Sequence, residues 1–184
     1  MAKIKEETAQ QKSIGDINAD LTFNEENNIA DMYLTFAVDG EDFGVGIGVV
    51  TEIVGMQKVM EVPDVPHFIR GVINLRGKVI PLLDVRARFG VPQVAYTDRT
   101  VVVVIEVDRV PTGLIVDKVF DIAEFATEGV EHLQSSARGG HRPLVTSVSK
   151  RGDRVSFIVD ANALVGQSQL APSDSPPNER VPAA

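Results

Sequence analysis

The sequence has no cysteine and no tryptophan among its 184 residues. Without cysteine, the chain forms no disulfide, offers no thiolate to a metal and has no cysteine nucleophile. Its longest apolar run, residues 101–105, is far shorter than the roughly 20 residues of a membrane-spanning helix, and its first 20 residues hold no apolar stretch typical of a signal peptide. We therefore expect a cytoplasmic protein that does not insert into a membrane.

Clusters of basic residues are also missing, and the formal net charge is −8. A nucleic-acid-binding protein needs a concentrated basic face to neutralise phosphates, so we expect no nucleic-acid partner. A β-barrel that binds bases or another small ligand by stacking would need an aromatic face. With 8 Phe and 2 Tyr in the whole chain, such a ligand-binding barrel is the weaker alternative.

Residue patterns of catalytic sites are hard to find. The three histidines, His67, His132 and His141, lack the spacing of metal ligands. The closely spaced glycines of residues 44–48 match neither of the common phosphate-binding loops. We therefore expect no enzymatic activity, no cofactor and no metal.

The two ends of the chain differ in composition from its middle. Residues 1–30 hold three Lys against six Asp and Glu, with too few apolar side chains to offset the entropy lost on ordering. Residues 167–184 are rich in Pro and Ser. We expect a flexible arm over 1–30, a disordered tail over 167–184, and between them a folded body that carries 14 basic and 18 acidic residues.

The pattern within residues 31–166 is that of β-strands, because short β-branched runs alternate with Gly, Pro and Asp. Residues 101–105 are apolar on both faces, which is typical of a central strand that is covered on both sides. The predicted strands are 32–38, 43–47, 49–54, 72–75, 78–84, 100–107, 112–120 and 155–159.

Helices are predicted to be few and short. One is expected over 66–70 with Asp64 as its N-terminal cap, and another over 85–89, ended by Gly90. Many short strands with tight turns and few helices indicate a mainly β protein, a barrel or a sandwich.

The most specific motif lies at residues 71–84, which read GVINLRGKVIPLLD. This segment resembles the signature of the CheW domain family, in which a GVxNLRG element precedes an apolar strand with Pro and Asp. The resemblance covers residues 31–166 and departs from the family pattern at 145–148. Further family elements occur in the same order, at 33–36, 43–45, 50–53, 62–63, 66–71, Arg86, 89–90 and 113–119.

What the resemblance implies is a mainly β fold of two small SH3-like β-barrel subdomains with short helices and no enzymatic activity. It also implies a bacterial chemotaxis adaptor that binds the cytoplasmic tip of a methyl-accepting chemoreceptor and the regulatory domain of the histidine kinase CheA. Such a protein would associate with receptor arrays at the inner membrane. The alternative is a CheW-like adaptor of another receptor pathway, such as type IV pilus motility or developmental signalling.

The resemblance also implies a receptor-binding site at Val50, Glu52, Gly71 and Arg76. Arg76 lies in a tight turn, where its guanidinium either meets a partner's carboxylate or ties down its own loop through a nearby carbonyl or acid. Glu52 is the sole charge between residues 45 and 56, and period-two alternation predicts that it shares one strand face with Val50 and Val54. Gly71 flanks a turn, where positive φ or close backbone approach is expected.

For the kinase side, two residues are candidates. Val116 and Val119 lie in the predicted strand 112–120, whose end or edge is a possible contact for a homologous barrel. Burial of both side chains in the core is the alternative for this apolar segment.

Overall fold

The computed structural model describes residues 29–125, 130–132, 144–151 and 153–166. The predicted arm and tail therefore lie outside the described residues, except that Ile29–Asp31 forms a 3-10 turn before the first strand. The strands are β1 Met32–Val38, β2 Glu41–Gly46, β3 Val50–Gly55, β4 Ile69–Leu75, β5 Lys78–Asp84, β6 Val101–Val107, β7 Val110–Val116, β8 Lys118–Glu124, β9 Val130–His132, β10 Val145–Arg151 and β11 Arg154–Val159, and the helices are α1 Val85–Phe89 and α2 Ala161–Val165.

The strands form two sheets. A six-stranded sheet has the order β8-β1-β2-β11-β10-β9, and a five-stranded sheet has the order β3-β6-β7-β5-β4. Neighbours are antiparallel except for the pairs β2–β11 and β5–β7, which are parallel. The chain begins in the six-stranded sheet, builds the whole five-stranded sheet and then returns. The five-stranded sheet is thus inserted between β2 and β8 of the six-stranded sheet.

A single apolar core fills the space between the two sheets, and we call it the shared core. Phe43 lies at its centre and stacks on Phe36 and Phe89, with ring centroids 6.0 and 4.8 Å away. Both sheets and both helices contribute to it. Its buried members include Leu34, Phe36, Val38, Phe43, Val45, Ile53, Leu83, Val85, Val101, Val103, Ile105, Leu114, Val116, Val119, Val159 and Leu164.

The five-stranded sheet curls around a second, smaller core on its other face, which we call the inner core. The inner core contains Ile73, Ile80, Leu82, Val102, Val104 and Ile115. Strand β6 lies between β3 and β7 and sends alternate side chains into the two cores. The prediction that residues 101–105 form a central strand covered on both faces is thus confirmed.

Helix α1 joins the two sheets through its two arginines. Arg86 donates from Nε and Nη2 to the two carboxylate oxygens of Asp117 at 2.8 and 2.7 Å, and from Nη1 to Asp39 at 3.0 Å. Arg88 donates to the carbonyl oxygens of Leu164 and Ala163 at 3.1 and 2.9 Å. Because Asp39 follows β1 and helix α2 follows β11, both arginines tie the five-stranded sheet to the six-stranded sheet.

The predicted helix over 85–89 is confirmed, with its stop at Gly90, which has a φ of 72°. Asp84 caps it and accepts a hydrogen bond from the backbone N–H of Ala87 at 3.3 Å. The predicted helix over 66–70 is wrong, because Pro66 begins a tight turn and β4 already starts at Ile69. Asp64 is not a helix cap, since it lies in a turn with a φ of 56°.

The predicted strand 112–120 is two strands. Asp117 separates β7 from β8, and its N–H donates to Ala37 in the other sheet at 3.1 Å. At Asp117 the chain passes from the five-stranded sheet to the six-stranded sheet. The sequence, in which apolar residues flank this aspartate on both sides, does not indicate that passage. Two further strands, β9 and β10, were not predicted.

Asp117 gives a pH-dependent prediction. Burial pushes its pKa up, but hydrogen bonds from Arg86 and from the Asp39 N–H, with the attraction of Arg86, outweigh that and lower the pKa below its ordinary value. A lowered pKa means that the carboxylate stabilises the fold above its unfolded pKa of about 3.9 and loses this contribution as the pH falls through the folded value. Near neutral pH we expect Asp117→Asn to reduce the free energy of unfolding by about 1.5–3 kcal/mol.

Urea denaturation of the wild type and of the Asp117→Asn variant at several pH values measures this contribution. The stability difference should shrink below a pH of about 4. The exposed carboxylate of Asp98 offers a control, and Asp98→Asn should change stability by less than about 0.5 kcal/mol. A difference for Asp117→Asn that stays constant down to low pH would contradict the assignment.

Candidate functional site

Arg76 occupies the tip of the hairpin between β4 and β5. The two loop residues, Arg76 and Gly77, have φ of 52° and 87°, as a type I′ turn requires. Asn74 closes the turn by accepting the Gly77 N–H on its side-chain oxygen at 2.9 Å. The turn projects the Arg76 side chain outward, and 79% of its surface is exposed.

Glu52 on β3 reaches this turn. Its Oε2 lies 3.0 Å from Nη2 of Arg76, and its side chain is 25% exposed. The pair links β3 and the β4–β5 hairpin, which form the two edges of the five-stranded sheet. Arg76 therefore pairs with an acid of its own chain, which is one of the alternatives that the sequence left open. Most of its side-chain surface nevertheless remains exposed.

The predicted shared face is confirmed for Glu52 and Val54 and is wrong for Val50. The register of β3 against β6 shifts between Val50 and Glu52, so Thr51 is an extra residue in a β-bulge and its hydroxyl donates to the carbonyl of Val104 at 3.1 Å. A bulge reverses the alternation that follows it. Val50 consequently packs against the shared core, whereas Glu52 and Val54 lie on the face of the inner core.

The backbone conformation at residue 71 requires glycine. Its φ is +134°, a conformation that side chains other than hydrogen rarely adopt. The N–H of Val72 donates to the carbonyl of Met60 at 2.8 Å, and this bridge brings that carbonyl so close that a Cβ on Gly71 would collide with it. The expectation of positive φ and close backbone approach is confirmed for Gly71.

Val116 and Val119 are buried members of the shared core. Burial was the alternative that the sequence left open for them. Their side chains offer almost no surface to a partner in this conformation.

A polar network beside Gly71 was not predicted from the sequence. Tyr96 donates its hydroxyl to the buried carboxylate of Asp84 at 2.9 Å and accepts from Nε of Arg70 at 3.1 Å. Burial, together with the Asp84 carboxylate, raises the pKa of Tyr96, which keeps the hydroxyl protonated as a donor. The network fixes the loop that contains Tyr96 to the ends of β4 and β5, along a cleft of about 350 Å³.

Within the described ranges, no helix is long and apolar enough to cross a membrane. Among those same residues, no group of three or more His, Asp and Glu side chains is placed to hold a metal ion. His67 contacts the Ala87 carbonyl oxygen at 3.3 Å, and the side chains of His132 and His141 lie outside the described part of the chain.

Comparison with known proteins decides the family. The model of the CheW-like domain matches residues 32–169, three quarters of the chain. The chain belongs to the CheW-like domain family. The predicted family is therefore confirmed.

Relatives support this membership. The chain is 31% identical over 143 residues to the chemotaxis protein CheW of Klebsiella aerogenes, covering 78% of this chain and 86% of the relative. It is 32% identical to the chemotaxis protein CheW of Bacillus subtilis, covering 77% and 92%. The crystal structure of the scaffolding protein TtCheW of Thermoanaerobacter tengcongensis superimposes with a TM-score of 0.66 at 27% identity, over 73% of this chain and 92% of that one.

CheW-like proteins are non-catalytic scaffolds built from two SH3-like β-barrel subdomains. The mainly β fold class that was predicted is confirmed by the structural match, and the two sheets described above correspond to the two subdomains. The prediction that the chain is not an enzyme is confirmed by its family.

The geometry at Gly71 predicts that Gly71→Ala destabilises the protein. The added methyl group would meet the Met60 carbonyl in a backbone region reserved for glycine, so we expect a loss of about 2 kcal/mol or more. Urea denaturation measures it. Gly55→Ala is the control, since a Cβ there meets nothing within 4 Å, and a loss at Gly71 no larger than at Gly55 would overturn the assignment.

The exposure of Arg76 predicts that its ion pair with Glu52 contributes little to stability. A double-mutant cycle with Glu52→Gln and Arg76→Asn should give a coupling energy below about 1 kcal/mol that falls further at high salt. Asparagine is chosen because it tolerates the positive φ of residue 76. A coupling energy of about 2 kcal/mol or more that does not depend on salt would contradict this prediction and show that the pair stabilises the turn.

Proposed function

We propose that this protein is an adaptor of bacterial chemotaxis signalling that binds a chemoreceptor and a histidine kinase at the same time. On this proposal the first partner is the cytoplasmic tip of a methyl-accepting chemoreceptor, and the second is the regulatory domain of CheA. The observation that carries the proposal is the exposed guanidinium of Arg76, which the family's signature segment presents on a rigid two-residue turn.

The four receptor-side residues have different roles in this proposal. Arg76 makes the contact, because a planar guanidinium with five N–H donors suits a carboxylate of the partner. Glu52 pairs with the Arg76 guanidinium at 3.0 Å while the arginine side chain stays 79% exposed. Gly71 allows β4 to approach the Met60 carbonyl closely. Val50 packs against the shared core.

The kinase partner on this proposal is CheA, and it binds through side chains other than those of Val116 and Val119. Val116 and Val119 are buried, so they act through the packing of β7 and β8 against the shared core. Any kinase contact is then made by residues that surround these strands.

As a mechanism, the adaptor couples receptor state to kinase activity by binding one state of the assembly more tightly than the other. A differential affinity of about 1–3 kcal/mol is sufficient for such coupling. Individual contacts can be weak, because a multivalent array raises the effective concentration of each partner. We place the protein at the cytoplasmic face of the inner membrane, held there by receptors.

The alternative is that the partners belong to another pathway, such as type IV pilus motility or developmental signalling. The fold and the Arg76 turn are compatible with a chemotaxis adaptor and with an adaptor of another pathway. The names of the Klebsiella and Bacillus relatives favour chemotaxis, and identification of co-purifying receptors from the native cell distinguishes the two.

The test is a binding titration of a receptor cytoplasmic fragment with the full chain and with its Arg76→Asn variant. We expect the substitution to weaken receptor binding about tenfold or more, as for the loss of a central arginine contact, and to leave binding of a CheA regulatory domain unchanged. Thermal unfolding of both proteins checks that the fold is intact.

Arg109→Asn is a closely matched control. Arg109 is also exposed, also lies in a two-residue hairpin loop and has a φ of 66°, so the control removes the same charge from the same kind of turn. Its receptor binding should equal that of the wild type. If Arg76→Asn bound the receptor fragment as tightly as the wild type, the proposed receptor surface would be contradicted. Equal losses of receptor affinity in Arg76→Asn and Arg109→Asn would contradict it too.

A further inference from the structure

The six-stranded sheet has a second face, which points away from the shared core. Leu34 and Phe36 of β1 belong to the shared core, so Thr35 between them points to the opposite side. A cavity of about 210 Å³ lies on that side, and we call it the polar cavity. Five of its lining residues are polar or charged, namely Thr35, Asp42, Asp121, Arg154 and Ser156. The inner core of the five-stranded sheet, by contrast, buries aliphatic side chains alone.

A β-bulge forms one wall of the polar cavity. The register of β1 against β8 shifts between Leu34 and Phe36, so Thr35 lies opposite two residues of β8. Phe120 and Asp121 therefore both line the cavity although they are adjacent in sequence. The Thr35 hydroxyl donates to Asp121, 2.8 Å from both its carbonyl and a carboxylate oxygen, and thereby holds this carboxylate at the cavity wall.

Strand β11 forms the opposite wall. Two strands, β1 and β2, separate β8 from β11 in the sheet, yet the Arg154 guanidinium lies over the Phe120 ring, 5.5 Å from its centroid. The sheet therefore curls far enough for side chains of β8 and β11 to meet. Ser156 shares the face of Arg154 on β11 and lies directly beside Asp42 of β2.

Three polar side chains of the cavity are unpartnered among the residues that the structure describes. The Ser156 hydroxyl makes no hydrogen bond there, although its residue is only 6% exposed. Asp42 forms neither a side-chain hydrogen bond nor an ion pair, and Arg154 pairs with no carboxylate. Burial of an unpaired hydroxyl is unfavourable, whereas a few convergent polar groups in a cavity are typical of a ligand site.

The charges of the cavity restrict the ligand. The carboxylates of Asp42 and Asp121 attract a protonated amine, and the planar guanidinium of Arg154 suits a carboxylate. The two aspartates would repel a simple anion, and the arginine would repel a simple cation. A ligand that carries both an ammonium group and a carboxylate satisfies all three side chains. It must also be small, because drug-sized ligands occupy pockets of roughly 300–1,000 Å³.

We propose that the polar cavity binds a small free amino acid, whose ammonium group contacts Asp42 and Asp121 and whose carboxylate meets Arg154. The Ser156 hydroxyl supplies a further hydrogen bond. This inference goes beyond the proposed function, because it adds a small-molecule ligand to a protein that is proposed to bind two other proteins. The site lies in the six-stranded sheet, whereas Arg76 belongs to the five-stranded one.

Isothermal titration calorimetry of the full chain with glycine, L-alanine and L-serine tests the inference. We expect at least one of them to bind with a Kd of about 1 mM or tighter. Each is compared with the amine that lacks its carboxylate and with the acid that lacks its ammonium group, which for L-alanine are ethylamine and propionate. Both partial ligands should bind about tenfold more weakly or worse.

Two variants assign the ends of the ligand. Asp42→Asn keeps the shape of an unpartnered side chain and should weaken amino-acid binding about tenfold or more. Arg154→Gln should weaken amino-acid binding equally and leave the binding of the amine unchanged. Asp98→Asn is the control, since it removes the same charge from an exposed loop outside the cavity and should bind as the wild type does. Thermal unfolding of each variant checks the fold.

Three results would overturn the inference. The first is that none of the three amino acids binds at concentrations up to about 10 mM. The second is that the amine binds as tightly as the amino acid, which would make the cavity a site for simple cations. The third is an unchanged affinity in Asp42→Asn, which would place the ligand elsewhere on the protein.

Discussion

The structure depends on the packing of two sheets against one shared core. Phe43, from the six-stranded sheet, stacks on Phe89 of helix α1, which connects β5 to β6 of the five-stranded sheet. The two arginines of α1 bind Asp39, which follows β1, and the carbonyl groups of helix α2, which follows β11. Each sheet buries the apolar face of the other. Neither sheet could shield that face from water by itself, so the two form one folded unit.

Such a unit suits a scaffold that works through position. The family motif ends at Asp84, which caps α1 and accepts the hydroxyl of Tyr96, so the segment that presents Arg76 is continuous with the helix that joins the sheets. Asp117 marks the crossing of the chain between the sheets and receives the bidentate Arg86 contact. The exposed hairpin is thereby held in a fixed relation to the six-stranded sheet.

Strand periodicity and turn chemistry predicted the mainly β class, the central strand at 101–105 and the helix over 85–89 that ends at Gly90, because each depends on neighbours in sequence. Three features depend on distant neighbours and were missed. The bulge at Thr51 forms against β6 and reverses the face of Val50. The crossing at Asp117 is set by Ala37 and Arg86. Strand β10 buries Ser147 and Ser149, and buried serines do not read as a strand.

At the candidate site, the sequence predicted the turn at Arg76 and the special backbone of Gly71, whereas the family resemblance supplied their roles. The exposure of Val79 and Met60, 62% and 47%, was not predicted from the sequence. An apolar residue in a strand looks the same in sequence whether or not another sheet covers it.

The proposed adaptor role requires one folded unit to present two partner surfaces at the same time. Analytical ultracentrifugation of this protein mixed with a receptor cytoplasmic fragment and a CheA regulatory domain tests it most directly. The account predicts a complex that contains all three components, at partner concentrations where each pair also forms. Displacement of one partner by the other would contradict it, because an adaptor whose two partners compete for one surface cannot connect them.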